Sequence, residues 1–211
     1  MFVDIVFPQK NEKEFLSMAE KLGSKLCFVY PKEESYEKEF SGIITTQSQI
    51  TKLKQKANLL VVRAGEENRK AFDAGPDIIF GLENSKRPDF IHQRNSGLNQ
   101  VLCNLAKKHG TMIGISFADF LRAEKPAQYL GRVMQNIMLC QKYNVEMVVA
   151  SFARTPYEMR PEHELKSFCL MLGMHQKTAK EAINNLHKKI MINQKKKRKE
   201  YYNEEIYVEE N

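Results

Sequence analysis

The stretch Lys86 to Asn99, KRPDFIHQRNSGLN, sets Lys86, Arg87, His92, Gln93, Arg94, Asn95, Ser96 and Asn99 around a single carboxylate, Asp89. A run so rich in donors suits an anionic partner, because the planar arginine fork gives a phosphate two parallel hydrogen bonds. Core packing needs no such chemistry, and loops between rigid elements often carry function. The same string also fits a solvated connection in which Ser96 caps the helix that follows.

Two elements must hold this stretch in place. Before it, Asp77 to Leu82 (DIIFGL) reads as a buried strand. After it, Leu98 to Lys108 carries Leu98, Val101, Leu102, Leu105 and Ala106 at helical spacing. The pattern repeats along the chain. Further strand-like runs are FVDIVF (Phe2 to Phe7), KLCFVY (Lys25 to Tyr30), GIIT (Gly42 to Thr45), LLVV (Leu59 to Val62), MIGISF (Met112 to Phe117) and EMVVASF (Glu146 to Phe152). Helices are expected over Glu12 to Leu22, Gln47 to Lys56, Glu66 to Phe72, Ala127 to Lys142, Pro161 to Leu172 and Thr178 to Asn193. For the last, Thr178 and Glu181 have capping-box spacing. The charged segment PKEESYEKE separates the second and third strands.

About seven nearly continuous apolar strands alternating with helices imply an α/β fold, a mostly parallel sheet covered by helices. Periodicity leaves an open doubly wound sheet and a closed barrel equally possible. In a barrel, functional residues gather at the C-terminal ends of the strands. Those ends bring Arg63, Glu83, Asp119 and Arg154, which with Lys86, Arg87, His92, Arg94 and Arg122 make a base-rich rim. The competing reading pairs about half of these arginines with carboxylates, Arg87 with Asp89 among them.

Composition narrows the classes. The 211 residues, 42% hydrophobic, suffice for one domain with a substantial core. No run approaches the roughly 18 to 20 apolar residues of a membrane span, and MFVDIVFPQK lacks the regions of a signal peptide. Cys27, Cys103, Cys140 and Cys169 stand singly in apolar segments, without zinc-ligand spacing, as reduced thiols of a cytoplasmic protein would. Net charge is +7, unevenly placed. Residues 177–199 carry nine Lys and Arg against Glu181 alone, whereas 200–211 carry five glutamates and no base. The expected division is one domain over 1–193 and a charged, flexible tail over 194–211.

Catalytic signatures are sparse. Ser96 in RNSGL is not in a GxSxG elbow, no cysteine has an evident histidine partner, and HExxH, DxD and glycine-rich phosphate loops are missing. A carboxylate site from Asp4, Glu83 and Asp119 with His92 remains as a magnesium alternative.

HQRNSGLNQVL followed by IGISFADFL resembles the motif pair of the third protein component family of archaeal ribonuclease P, which is related to a eukaryotic subunit of the same enzyme. SFARTPYEMR, with LGM after it, is similar to that family's next landmark. The likeness runs from about Phe2 to Asn193. It implies a TIM-barrel-like fold resembling the polymerase-and-histidinol-phosphatase barrel. That superfamily's metal sites begin with a His-x-His pair on the first strand, where this chain has VDIVFP and no histidine. The resemblance implies a non-catalytic subunit of an endoribonuclease that removes the 5′ leader of precursor tRNA, the RNA component and its magnesium carrying the chemistry. It implies the ribonuclease P RNA, a small companion protein and other subunits as partners, with no cofactor bound by this chain. A stand-alone metal-dependent phosphoesterase is the alternative. Arg94 leads the functional candidates, with His92, Gln93, Asn95 and Ser96 beside it in the motif. Arg154 and Asp119 lie in the other matched segments, and Arg63, Lys86, Arg87 and Arg122 follow from placement and charge. His92 and Asn95 are expected to lock the loop.

Overall fold

Seven apolar strands follow one another in space in the order in which they occur in the chain. The computed structural model describes residues 1–31, 40–45, 49–54, 57–65 and 67–197. Strands β1 (Val3–Val6), β2 (Lys25–Tyr30), β3 (Ser41–Thr45), β4 (Leu60–Arg63), β5 (Ile78–Phe80), β6 (Met112–Ser116) and β7 (Met147–Ala150) form one sheet in that order, every pair parallel. The sheet curls back on itself. Phe7 N donates to Ala153 O at 2.8 Å, Ala153 N donates to Ile5 O at 3.2 Å, and a parallel bridge joins Val6 to Ala153. The question that periodicity left open is settled as a nearly closed TIM-barrel-like α/β fold.

Strand alternation divides the core. Val3, Ile5, Cys27, Val29, Val61, Ile78, Phe80, Met112, Val148 and Ala150 cluster on one side of the sheet, in the barrel interior. Leu60, Val62, Ile79, Ile113, Ile115, Met147 and Val149 turn outward to the helices. Those are α1 (Glu12–Leu22), α2 (Ile50–Leu53), α3 (Asn68–Ala74), α4 (Gln100–His109), α5 (Phe117–Leu121), α6 (Pro126–Tyr143), α7 (Glu162–Met171) and α8 (Gln176–Lys197). None is long and apolar enough to cross a membrane.

Helix α8 closes one end. Its Leu186 and Ile190 join the interior cluster, while Asn185, Lys189 and Asn193 bond to Met147 O, Gly110 O and Asn58 O, all at or just before strand starts. The opposite end, where the strands finish, is left for the connecting loops. Beneath them the rings of Phe80 and Phe152 stack at 4.7 Å between centroids and Phe7 adds a third at 5.7 Å from Phe80, filling the mouth with carbon.

Several local expectations are corrected. Helix α4 is capped by Asn99, whose side chain accepts from Leu102 N at 3.0 Å, and not by Ser96. Helix α8 begins at Gln176, so Thr178 lies inside its first turn, and it runs past 193 to Lys197. Pro161 precedes α7 as its N-cap. Of the Gln47 to Lys56 helix, Ile50–Leu53 is described as helical. Residues 32–39 of the charged segment and the tail beyond 197 lie outside the described residues.

Candidate nucleic-acid interface

Asp119 organises the centre of the open end. Ser116 Oγ accepts from Asp119 N at 3.0 Å and starts α5 where β6 stops, which fixes the carboxylate over the barrel mouth. Its Oδ2 accepts from Arg63 Nη2 at 3.1 Å and Asn84 Nδ2 at 2.9 Å, and its Oδ1 from Arg122 Nη2 at 3.0 Å. Arg63 also lies over the Phe80 ring, and Arg122 reaches on to Glu158 at 2.5 Å. Glu158 in turn accepts from the main chain at Arg154 and Thr155. Asp119, only 4% exposed, is therefore a buried counter-ion that aims two arginines. Arg154 makes no ion pair among the described residues. Desolvation and the like charges of Arg122 and Arg63 push its pKa below the usual arginine value.

The motif loop is held from α6, a helix expected from the sequence but one that carries none of the sequence candidates. Arg132 of α6 is 4% exposed. Its Nε donates to Asp89 Oδ1 at 2.8 Å, Nη1 to the carbonyls of Glu83 and Ser85, and Nη2 to that of Arg87. Gln128 reaches the other Asp89 oxygen, while Asn95 N donates to Oδ1 at 2.8 Å. One turn further, Gln135 exchanges hydrogen bonds with both main-chain groups of Arg94 and donates to Ser96 Oγ. Asn136 bonds Ser96 O and Glu83 Oε1, each at 3.0 Å. Partial burial opposes the Asp89 carboxylate, but the Asn95 amide, Arg132 and Gln128 hold its pKa below the ordinary carboxylate value.

Two glycines make this contact possible. Gly97 has φ +76°, and a Cβ there would meet Leu82 O at 2.4 Å. On α6, a Cβ at Gly131 would fall 2.4 Å from Arg94 Cζ, so the Arg94 guanidinium lies directly against the bare helix backbone. From there Arg94 approaches Asp89 at 3.7 Å.

The sequence candidates therefore separate. The cationic partner of Asp89 is Arg132, with Arg94 more distant; the expected Arg87–Asp89 pair does not form. Ser96 is buried and tied to α6, whereas His92 is exposed and makes no hydrogen bond or ion pair among the described residues. The lock expected of the His92 and Asn95 side chains falls instead to Ser96 and to main-chain groups gripped from α6.

On the outer side of the loop a cleft of about 660 Å³ opens between it and the start of α3. Arg63, Arg69, Lys86, Arg87 and Arg94 line it together with Phe90, Gln93, Asn95 and several other amides, and among the described residues none that lines it is acidic. Arg69, Lys86 and Arg87 make no ion pair among the described residues and are exposed. This is a concave surface of one sign, the form that concentrates a polyanion. Arg69 had escaped sequence reasoning because it lies on α3, outside the motif loop.

The magnesium alternative does not fit. Both Asp119 oxygens are taken by cations and an amide. Asp4 sits inside β1, its Oδ1 accepting from Ser151 N at 2.6 Å and Ile5 N at 3.0 Å, so it helps join β7 to β1. Glu83 is buried against Asn136, and His92 is out at the loop surface. Among the described residues no group of three or more His, Cys, Asp or Glu is placed to hold a metal ion.

Burial raises the Glu83 carboxyl to about 7, the nearby Asp119 charge adding to it against the bonds from its own main chain and Asn136. Asp4 is likewise raised to about 7 by burial. Each folded-state pKa lies above its unfolded value, so the folded chain keeps protons that the unfolded chain has released. The stability these two groups contribute is then fully present below the unfolded values and is lost as pH rises towards 7, by up to roughly 1.4 kcal/mol per pH unit for each group. Glu83→Gln keeps the size, removes one titration and can donate to Asn136 Oδ1, which has no partner. Its melting temperature is expected to fall less between pH 5 and 8 than that of the wild type and to exceed it at pH 8. A profile parallel to the wild type would exclude Glu83 as a source of the pH dependence.

A family model described as RNase P subunit p30 matches residues 43–199. Ribonuclease P protein component 3 of Methanosarcina mazei is 31% identical over 185 residues, covering 82% of this chain and 73% of that protein. Its counterpart in Methanosarcina acetivorans is 32% identical over 149 residues, covering 68% and 59%. That of Thermococcus kodakarensis is 28% identical over 130 residues, covering 60% and 56%. In fold, the chain is similar to one in a cryo-EM structure of archaeal Ribonuclease P with mature tRNA. The TM-score is 0.73 and the identity 20%, with 90% of each chain covered.

Proposed function

The chain belongs to the RNase P subunit p30 family, and from that premise we propose that it is an RNA-facing, non-catalytic subunit of ribonuclease P. The holoenzyme removes the 5′ leader of precursor tRNA. Its RNA component, with magnesium held by the RNA, performs the hydrolysis, and this chain contributes position and charge. The observation that carries this reading is the basic cleft: five cations converge on one concavity, with no carboxylate among the described residues that line it, and the loop forming its wall is fixed by Arg132. Arg87, Lys86, Arg69 and Arg94 meet RNA phosphates there. Arg63, Arg122 and Arg154 extend the positive rim across the barrel end, two of them oriented by Asp119.

The companion protein of the same complex docks on the outer helices, where apolar side chains such as Met134 and Met138 of α6 stay exposed. The chain works in the cytoplasm. Its four buried free cysteines are compatible with a reducing compartment.

The test is a titration of the full chain with ribonuclease P RNA across a series of salt concentrations. The logarithm of the binding constant is expected to fall linearly with the logarithm of salt, by about 0.7 to 0.9 for each phosphate neutralised. Binding that is absent, or insensitive to salt, would leave the barrel as a protein-only scaffold.

A further inference from the structure

Phe90 stands in the wall of the cleft with 70% of its surface exposed. Its ring stacks on no other ring or cation among the described residues. Single exposed hydrophobic residues are common and need no explanation. This one differs in two respects. Among the described residues it is the aromatic member of a concavity otherwise lined by cations, amides and small or aliphatic side chains. Its main chain is also held: Phe90 N donates to Gln93 O at 2.8 Å, closing the turn, while Asp89 on one side and Arg94 on the other are fixed to α6. The frame therefore holds the main chain beneath the ring and leaves the ring facing solvent, so that part of the ordering cost is already met on folding.

An exposed aromatic face beside a row of cations is the arrangement that binds single-stranded nucleic acid. The phosphates follow the charge, and a base stacks on the ring. In an RNA duplex the base faces are covered by their neighbours, so only an unpaired nucleotide can offer one. We propose that the cleft takes an unpaired stretch of RNA, one base stacked on Phe90 and its flanking phosphates on Arg87 and Arg94. The inference rests on the RNA-facing reading above and specifies the kind of RNA element that is bound. Ile91 provides an internal control. It is 95% exposed beside Phe90 but does not line the cleft. An apolar protein contact would use both side chains, whereas stacking uses the ring alone.

The chain contains no tryptophan, so Phe90→Trp places a single indole reporter at this position. The full-length variant is titrated with oligoadenylate, oligouridylate, an abasic oligomer of the same length and duplex RNA. Indole emission should be quenched by oligoadenylate, less by oligouridylate, and not by the abasic oligomer or the duplex. In parallel, Phe90→Leu should weaken oligoadenylate binding about tenfold, in line with the usual value of one stacked base, while leaving abasic binding and the melting temperature unchanged. Ile91→Ala should change neither. Salt-dependent RNA binding that Phe90→Leu leaves intact would overturn the stacking proposal and spare the RNA-facing reading. Unchanged RNA binding with assembly of the protein subunits weakened equally by Phe90→Leu and Ile91→Ala would assign the pair to a protein contact. A wild-type chain that binds none of these oligomers would overturn the stacking proposal, and failure to bind ribonuclease P RNA as well would remove the RNA-facing reading.

Discussion

Arg132→Met is expected to lower the melting temperature by roughly 6 to 20 °C and to weaken RNA binding with it. The substitution keeps the length and apolar stem of the side chain and removes only the guanidinium. It leaves the Asp89 carboxylate without its closest counter-ion and the carbonyls of Glu83, Ser85 and Arg87 without a donor. Removing one partner of a buried ion pair typically costs about 3 to 5 kcal/mol, and in a chain of this size each kcal/mol shifts melting by about 2 to 4 °C. Gln128 and the Asn95 amide still hold Asp89, so the barrel folds while the loop loosens. Thermal melting and the RNA titration check the two halves. A shift below about 2 °C would mean that α6 does not secure the loop.

The second large effect is on binding alone. Replacing Arg69, Lys86 and Arg87 together by alanine is expected to reduce the salt dependence of RNA binding by about two log units per log salt, with affinity lowered on the order of tenfold or more. Because none of the three makes an ion pair among the described residues, their removal orphans no carboxylate, and melting should stay within a few degrees. A triple variant with the wild-type salt slope would show that RNA does not enter this cleft. The same substitution at Arg63 and Arg122 would be ambiguous, since it would also strip Asp119 of its partners.

These two predictions rest on residues of very different legibility. The strands were readable because each is a short, nearly unbroken apolar run, and β2 and α1 fall where periodicity placed them. Barrel closure was not in the periodicity; it came from the family resemblance, and in the molecule it depends on Ala153 and on Asp4 bridging to Ser151. The motif loop was found from its donor density, but its support was not. On α6, Gln128, Arg132, Gln135 and Asn136 recur at helical spacing beside the buried stripe of Tyr129, Val133, Ile137 and Cys140. A polar stripe of that kind ordinarily faces solvent. Here it turns towards the loop, and Met134 and Met138 are among the side chains left outside. Glycine at 131, opposite a loop rich in arginine, was the available hint. Capping signals were equally double-edged. Thr178 and Glu181 have the spacing without capping α8, whereas Ser116 and Asp119, spaced alike, do start α5.

On the proposed function, this chain serves a catalytic RNA and does not itself cleave. The most direct measurement recovers the tagged full chain gently from its own cells and assays the eluate for 5′ cleavage of precursor tRNA, before and after nuclease digestion of the copurifying RNA. Cleavage that is present at first and lost on digestion is the predicted result. Cleavage that survives digestion would contradict the account and return the chemistry to protein.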